Sequence, residues 1–160
     1  MRTDQNMNRF HKRIRLGARF YAQPGNICSV TVAVRGRRPI FKAPEVAAAA
    51  VDVLRALAVK TEVLVWGYCI MPDHVHLVLG PSQGCDIISF VGQYKNLAQR
   101  AAWGCGVNGS FWQKSFYDHF LRAEEQVESV VEYVLNNPVR QGLVERWSDY
   151  QFCGSLVLEL

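Results

Sequence analysis

The chain has 160 residues, of which 49% are apolar, enough for one domain with its own core and too many for a disordered chain. No run of about 18 apolar residues occurs, so no membrane span is expected. The net charge of +4 is unevenly placed: residues 1–20 hold six Lys and Arg side chains against Asp4 alone, and the remaining residues sum to −1.

That basic arm, residues 1–19, reads as irregular and lacks the apolar core of a secretory signal. It is either a phosphate-binding element or a solvated tail. Pro24-Gly25 breaks the chain into a loop, and residues 27–34, rich in β-branched side chains, read as the first strand. A basic turn, 35–39, follows. Residues 44–60 predict a helix with Pro44 in its first turn and an apolar stripe through Val46, Ala50, Val53, Leu54 and Leu57. Residues 61–70 and 74–79 predict two further strands, and the tight Pro72-Asp73 connection makes them an antiparallel hairpin.

Residues 86–103 predict a second helix, and the aromatic-rich 111–121 a fourth strand. Residues 124–136 predict a third helix, which Pro138 should end. The tail from 147 onward is too mixed to assign. The order predicts one α+β domain over 1–160: a ferredoxin-like βαββαβ antiparallel sheet with helices on one face, plus an additional C-terminal helix. Residues 20–150 would form the catalytic fold.

The five cysteines are odd in number and form no Cys-X-X-Cys pair, so neither a zinc knuckle nor a disulfide framework is expected. A reducing cytoplasm suits them, and the basic arm, as a phosphate-binding element, would be compatible with a nucleoid-associated place.

Residues i and i+2 of a strand share a face, so His74 and His76 should point the same way with Val75 turned opposite. Two imidazoles on one strand face are half of a metal site; the alternative is one hydrogen-bonded core histidine and one solvated one. Tyr133 and Asn137, four apart on the third helix, should lie one above the other. An amide oxygen can complete a divalent-metal site, and a phenol beside a metal-bound phosphate is a covalent nucleophile. Against this, a helical Tyr is commonly a packing residue, and Asn136-Asn137-Pro138 reads as a helix stop. Tyr94, next to Lys95, is a rival nucleophile. His119 suits either a phosphate or a sheet edge. Trp112, Phe116, Tyr117 and Tyr68 suit either base stacking or the core.

Four stretches carry a resemblance in the right order: 14–25, 67–78, 111–119 and 131–144. With them the chain resembles the REP-associated tyrosine transposases, within the wider group of single-strand DNA transposases that carry a His-hydrophobe-His motif. The likeness runs over roughly residues 12–150. It implies that His74, His76 and Asn137 hold a divalent ion, Mg2+ or Mn2+. It also implies that Tyr133 attacks a phosphodiester, leaving a 5′-phosphotyrosine and a free 3′-hydroxyl. The implied substrate is single-stranded or hairpin-forming repeat DNA, and a homodimer is compatible with it. Clustered charge adds Arg13, Arg15, Arg37 and Arg38 as DNA contacts. Two other functions fit the same residues: a domesticated DNA-binding module that no longer cleaves, and a hydrolase using metal-bound water.

Overall fold

The computed structural model describes residues 16–122 and 125–160. Its centre is a five-stranded antiparallel sheet in the order β4-β1-β3-β2-β5. The strands are β1 (Cys28–Ala33), β2 (Leu64–Met71), β3 (His74–Gly80), β4 (Tyr117–Phe120) and β5 (Cys153–Gly154). The helices are α1 (Ala18–Ala22), α2 (Pro44–Thr61), α3 (Ile87–Gly104), α4 (Val127–Leu135) and α5 (Asn137–Arg140). The βαββαβ succession is the one expected for a ferredoxin-like sheet; its strands stand in the order 4-1-3-2, with β5 added at one edge.

Alternation along the strands divides the side chains into two layers. Val30, Val32, Val34, Val75, Leu77, Leu79 and Ile70 pack with α2 and α3 around Leu54, Leu57, Ile87 and Phe90. Each fully buried Leu or Ile of this layer contributes on the order of 2 kcal/mol from area removed from water. Cys69, Met71 and Val78 face the other way and pack with Val131, Val134 and Leu135 of α4. The layer that holds α2 and α3 is thus apolar, with the Cys28 and Cys85 thiols inside it, and α4 covers the opposite face.

Two features set α4 against the sheet. At Gly67 of β2 a Cβ would stand 3.1 Å from Val131 Cγ1, so the absent side chain is what lets the helix settle there. Pro72-Asp73 closes the β2–β3 hairpin, and its carbonyls accept from Phe41 N–H at 3.0 Å and Val34 N–H at 2.9 Å. The start of β3 is therefore held rigidly.

Several boundaries differ from those expected. Residues 111–116 do not extend β4. Phe111 and Trp112 are buried against α3 instead, the Trp112 indole donating to the Lys95 carbonyl at 2.8 Å, and only an isolated bridge joins Trp112 to Val34. The helix after β4 ends at Leu135, about where Pro138 should end it, but a second short helix follows at once. Asn136 makes a turn, and Pro138, which lacks an N–H, sits in the first turn of α5. Ala18–Ala22 is helical where arm and loop were expected, and the unassigned tail supplies β5, which pairs with β2 at Tyr68 and Cys69.

Candidate active site

Register places His74 opposite Met71 and His76 opposite Cys69 on β2, and His76 opposite Thr31 on β1. Both histidines therefore lie on the face that α4 covers. Their Nε2 atoms are 3.0 Å apart. Each ring is held from behind. His74 Nδ1 is 2.5 Å from Asp73 Oδ1, and His76 Nδ1 is 3.0 Å from Thr31 Oγ1. A carboxylate only accepts, so His74 carries its proton on Nδ1 and turns a lone pair on Nε2 toward its neighbour.

Burial pushes His74 below the ordinary histidine range, opposed by its bond to Asp73. Burial drives His76 further, down to about 3, and the charges of His74, Arg140 and Arg37 add to it. Both rings are thereby kept neutral, the state in which imidazole ligates a metal.

The arrangement suits a divalent ion. With metal–nitrogen bonds of about 2.1 Å, a separation of 3.0 Å subtends about 90° at the ion, the angle of an octahedral set. Outer partners such as Asp73 and Thr31 are what orient metal-bound histidines generally. Asn137 is only 6% exposed, and its side-chain amide makes no hydrogen bond among the described residues. An amide oxygen left free in this way can serve as a metal ligand. Among the described residues no three His, Cys, Asp or Glu side chains gather as a metal site, so any third protein donor has to be of another kind.

Tyr133 does not share Asn137's environment, contrary to the expectation that they stack. The turn at Asn136 separates them: Tyr133 is 63% exposed while Asn137 is buried beneath the α4–α5 corner. The Arg140 guanidinium lies 3.8 Å from the centroid of the Tyr133 ring and donates to the Tyr133 carbonyl at 2.7 Å. That cation–π contact steadies the ring and brings positive charge to it. Tyr133 also borders a cleft with Ser29 of β1 and His119 of β4. Ser29 is two residues from Thr31 on the same strand face, so the phenol and the two imidazoles lie over one face of the sheet.

The remaining candidates separate clearly. Tyr94 is fully buried, donates to the Ala50 carbonyl at 3.3 Å, and has its phenol pushed up by burial, so it is a core residue. Trp112 and Tyr68 are also core. Arg37 lies 3.8 Å from Asp73 and so reaches the histidine pair from outside, while Arg38 is exposed. Arg13 and Arg15 lie outside the described residues. Thr31, Arg140 and Glu125 were not singled out from sequence. Only Arg140 had a local signal, being basic and one turn beyond Asn137.

The chain is similar to known proteins over most of its length. The REP-associated tyrosine transposase of Escherichia coli (strain K12) is 27% identical over 85 residues, which is 53% of this chain and 50% of that protein. The chain thus matches about half the length of that curated relative. A solved structure, described as the REP-associated tyrosine transposase bound to a REP hairpin, superposes with a TM-score of 0.69 at 22% identity, covering 89% of this chain and 82% of that one. At that identity the match speaks for the fold alone. The family model described as "Transposase IS200 like" matches residues 27–137, from the first strand through the histidine pair and Tyr133 to Asn137, and the chain belongs to that family.

Proposed function

We propose that this chain is a metal-dependent single-stranded DNA endonuclease and strand transferase that works through a covalent 5′-phosphotyrosine, on hairpin-forming repeat DNA. The observation that carries the reading is the convergence of His74 and His76 Nε2 at 3.0 Å on the sheet face over which α4 presents an exposed Tyr133.

His74, His76 and the Asn137 amide would hold the ion, Mg2+ or Mn2+, with Asp73 and Thr31 orienting the rings. When bound, such an ion neutralises and polarises a phosphodiester. Tyr133 supplies the attacking oxygen. Its O–P bond forms as the P–O3′ bond breaks, and the departing oxygen leaves as the 3′-hydroxyl. The energy of the broken bond is kept in the phosphotyrosine, so rejoining needs no nucleotide cofactor. Arg140, stacked on the ring, holds the phenol outward. The hairpin substrate is argued from the relative whose structure is described with a REP hairpin. Arg37 and Arg38 would contact the DNA backbone, and exposed basic side chains of this kind give affinity that falls with salt.

The test is incubation with a REP-type hairpin oligonucleotide and Mn2+ or Mg2+, followed by denaturing electrophoresis. A detergent-resistant adduct is expected, located on Tyr133 by mass spectrometry and absent in Tyr133→Phe. An adduct that persists in Tyr133→Phe moves the nucleophile elsewhere. Hydrolysed ends without an adduct favour attack by metal-bound water, and binding without cleavage under either ion leaves a DNA-binding module.

A further inference from the structure

The cleft beside Tyr133 has a volume of about 560 Å³ and is bordered by His119, a histidine apart from the pair on β3. His119 stands opposite Ser29 across the β1–β4 pairing, so its side chain lies on the same face as His76. Its Nε2 is 3.1 and 3.3 Å from the two carboxylate oxygens of Glu125, which also borders the cleft. Glu125 in turn accepts from the Arg122 backbone N–H at 3.0 Å. That bond, and the one from His119, lower its pKa and keep it ionised. An ionised carboxylate only accepts, so the proton of the imidazole sits on Nε2 and the lone pair on Nδ1. Nδ1 has no hydrogen bond among the described residues.

A nucleophilic hydroxyl, an imidazole bordering the same cleft, and a carboxylate fixing the imidazole's tautomer form the arrangement that activates nucleophiles in enzymes generally. A carboxylate against the ring also makes His119 a poor clamp for a phosphate, since it adds negative charge where the DNA backbone would lie. We propose that His119 is the proton acceptor for Tyr133 in strand cleavage, and that Glu125 is the positioning residue that holds its tautomer. The inference rests on Tyr133 being the nucleophile. As the O–P bond forms, the phenol proton passes to His119 Nδ1, directly or through one water. The electron pair of the P–O3′ bond goes to O3′, which takes a proton from solvent. The groups that face the imidazole are Glu125 from the segment before α4, Tyr133 with its stacked Arg140 from the helices, Ser29 from β1 and Tyr117 from its own strand.

The experiment measures single-turnover adduct formation on a hairpin oligonucleotide with Mn2+, as a function of pH. Wild type, His119→Ala, His119→Gln, Glu125→Gln and Tyr133→Phe are compared. His119→Ala and His119→Gln should slow the adduct on the order of 100-fold or more, with oligonucleotide affinity and melting temperature kept. Both should lose the acidic limb of the rate profile, and added imidazole should restore His119→Ala but not Tyr133→Phe. Glu125→Gln should slow the reaction less and keep a shifted limb. Wild-type rates in both His119 variants, a loss that follows oligonucleotide affinity, or failure of imidazole to restore His119→Ala would overturn the inference while leaving Tyr133 as nucleophile. If His119→Ala does not fold, His119→Gln decides by rate and profile. No adduct in wild type removes the Tyr133 reading and this inference together.

Discussion

Thr31→Val tests the histidine pair without touching either ring. Thr31 Oγ1 is 3.0 Å from His76 Nδ1, and His76 Nε2 is 3.0 Å from His74 Nε2. The two contacts are linked through the tautomer. If the hydroxyl donates to Nδ1, the His76 proton sits on Nε2 and can be donated to His74, so the two rings satisfy each other. If Nδ1 donates to the hydroxyl, the His76 lone pair moves to Nε2, and two lone pairs then face one site. An ion needs the second arrangement, and only a partner that can both donate and accept allows both. Valine has nearly the same shape and does neither. Loss of such an outer contact typically weakens metal affinity 10–100-fold, about 1.4–2.7 kcal/mol. The lost hydrogen bond itself should cost the fold about 1 kcal/mol. Mn2+ binding measured by calorimetry, or by the loss of the free-ion paramagnetic resonance signal, reads the effect directly. Thr31→Ser should bind near the wild-type level. If Thr31→Val binds Mn2+ as tightly as wild type, Thr31 does not orient a ligand, and the claim that β1 helps build the site fails.

Gly67→Ala should press α4 outward, because a Cβ there meets Val131 Cγ1 at 3.1 Å and Cγ2 at 3.3 Å. A loss of about 1–3 kcal/mol in stability is expected, with slower adduct formation; an unchanged melting temperature and rate would show that the helix yields freely. For the metal-free protein, burial holds His76 down to about 3, against about 6.5 in the unfolded chain. Between those values the unfolded state binds a proton that the folded state does not. Stability should therefore fall as pH drops from 6.5 toward 3, with His74 shifted in the same direction. Urea melts at several pH values should show a shallower dependence in His76→Gln, and an equal dependence refutes the assignment. Arg38→Ala should weaken binding to all single-stranded oligonucleotides alike and reduce the salt slope by about 0.7. Arg37→Ala should do the same and also disturb metal binding, because Arg37 lies against Asp73; a change confined to one DNA sequence would contradict a backbone contact for either.

How much could be read in advance depended on how local the cause was. The alternation of residues 74–79 and the two-residue Pro72-Asp73 turn fixed the hairpin and the shared face of His74 and His76, since strand pleat and turn length are local properties. The α2 stripe and the βαββαβ order were legible for the same reason. The end of α4 was legible from Pro138, but the short α5 after it was not, because a proline can begin a helical turn as easily as it can end one. The fourth strand was overextended because aromatic residues suit both strand and core, and Phe111 and Trp112 went to the core.

What the amino-acid order determined by itself was the set of elements, the paired imidazoles on one strand face, and the family likeness borne by residues 67–78 and 131–144. Only the tertiary structure decided what stands around those imidazoles. Thr31 is 45 residues from His76 and reaches it through strand pairing alone. His119, Glu125 and Tyr133 share a cleft because β4 lies beside β1 and α4 packs over the neighbouring β2 and β3. Such contacts are set by which strands become neighbours and how closely a helix can approach at Gly67, and no local periodicity in the chain encodes them.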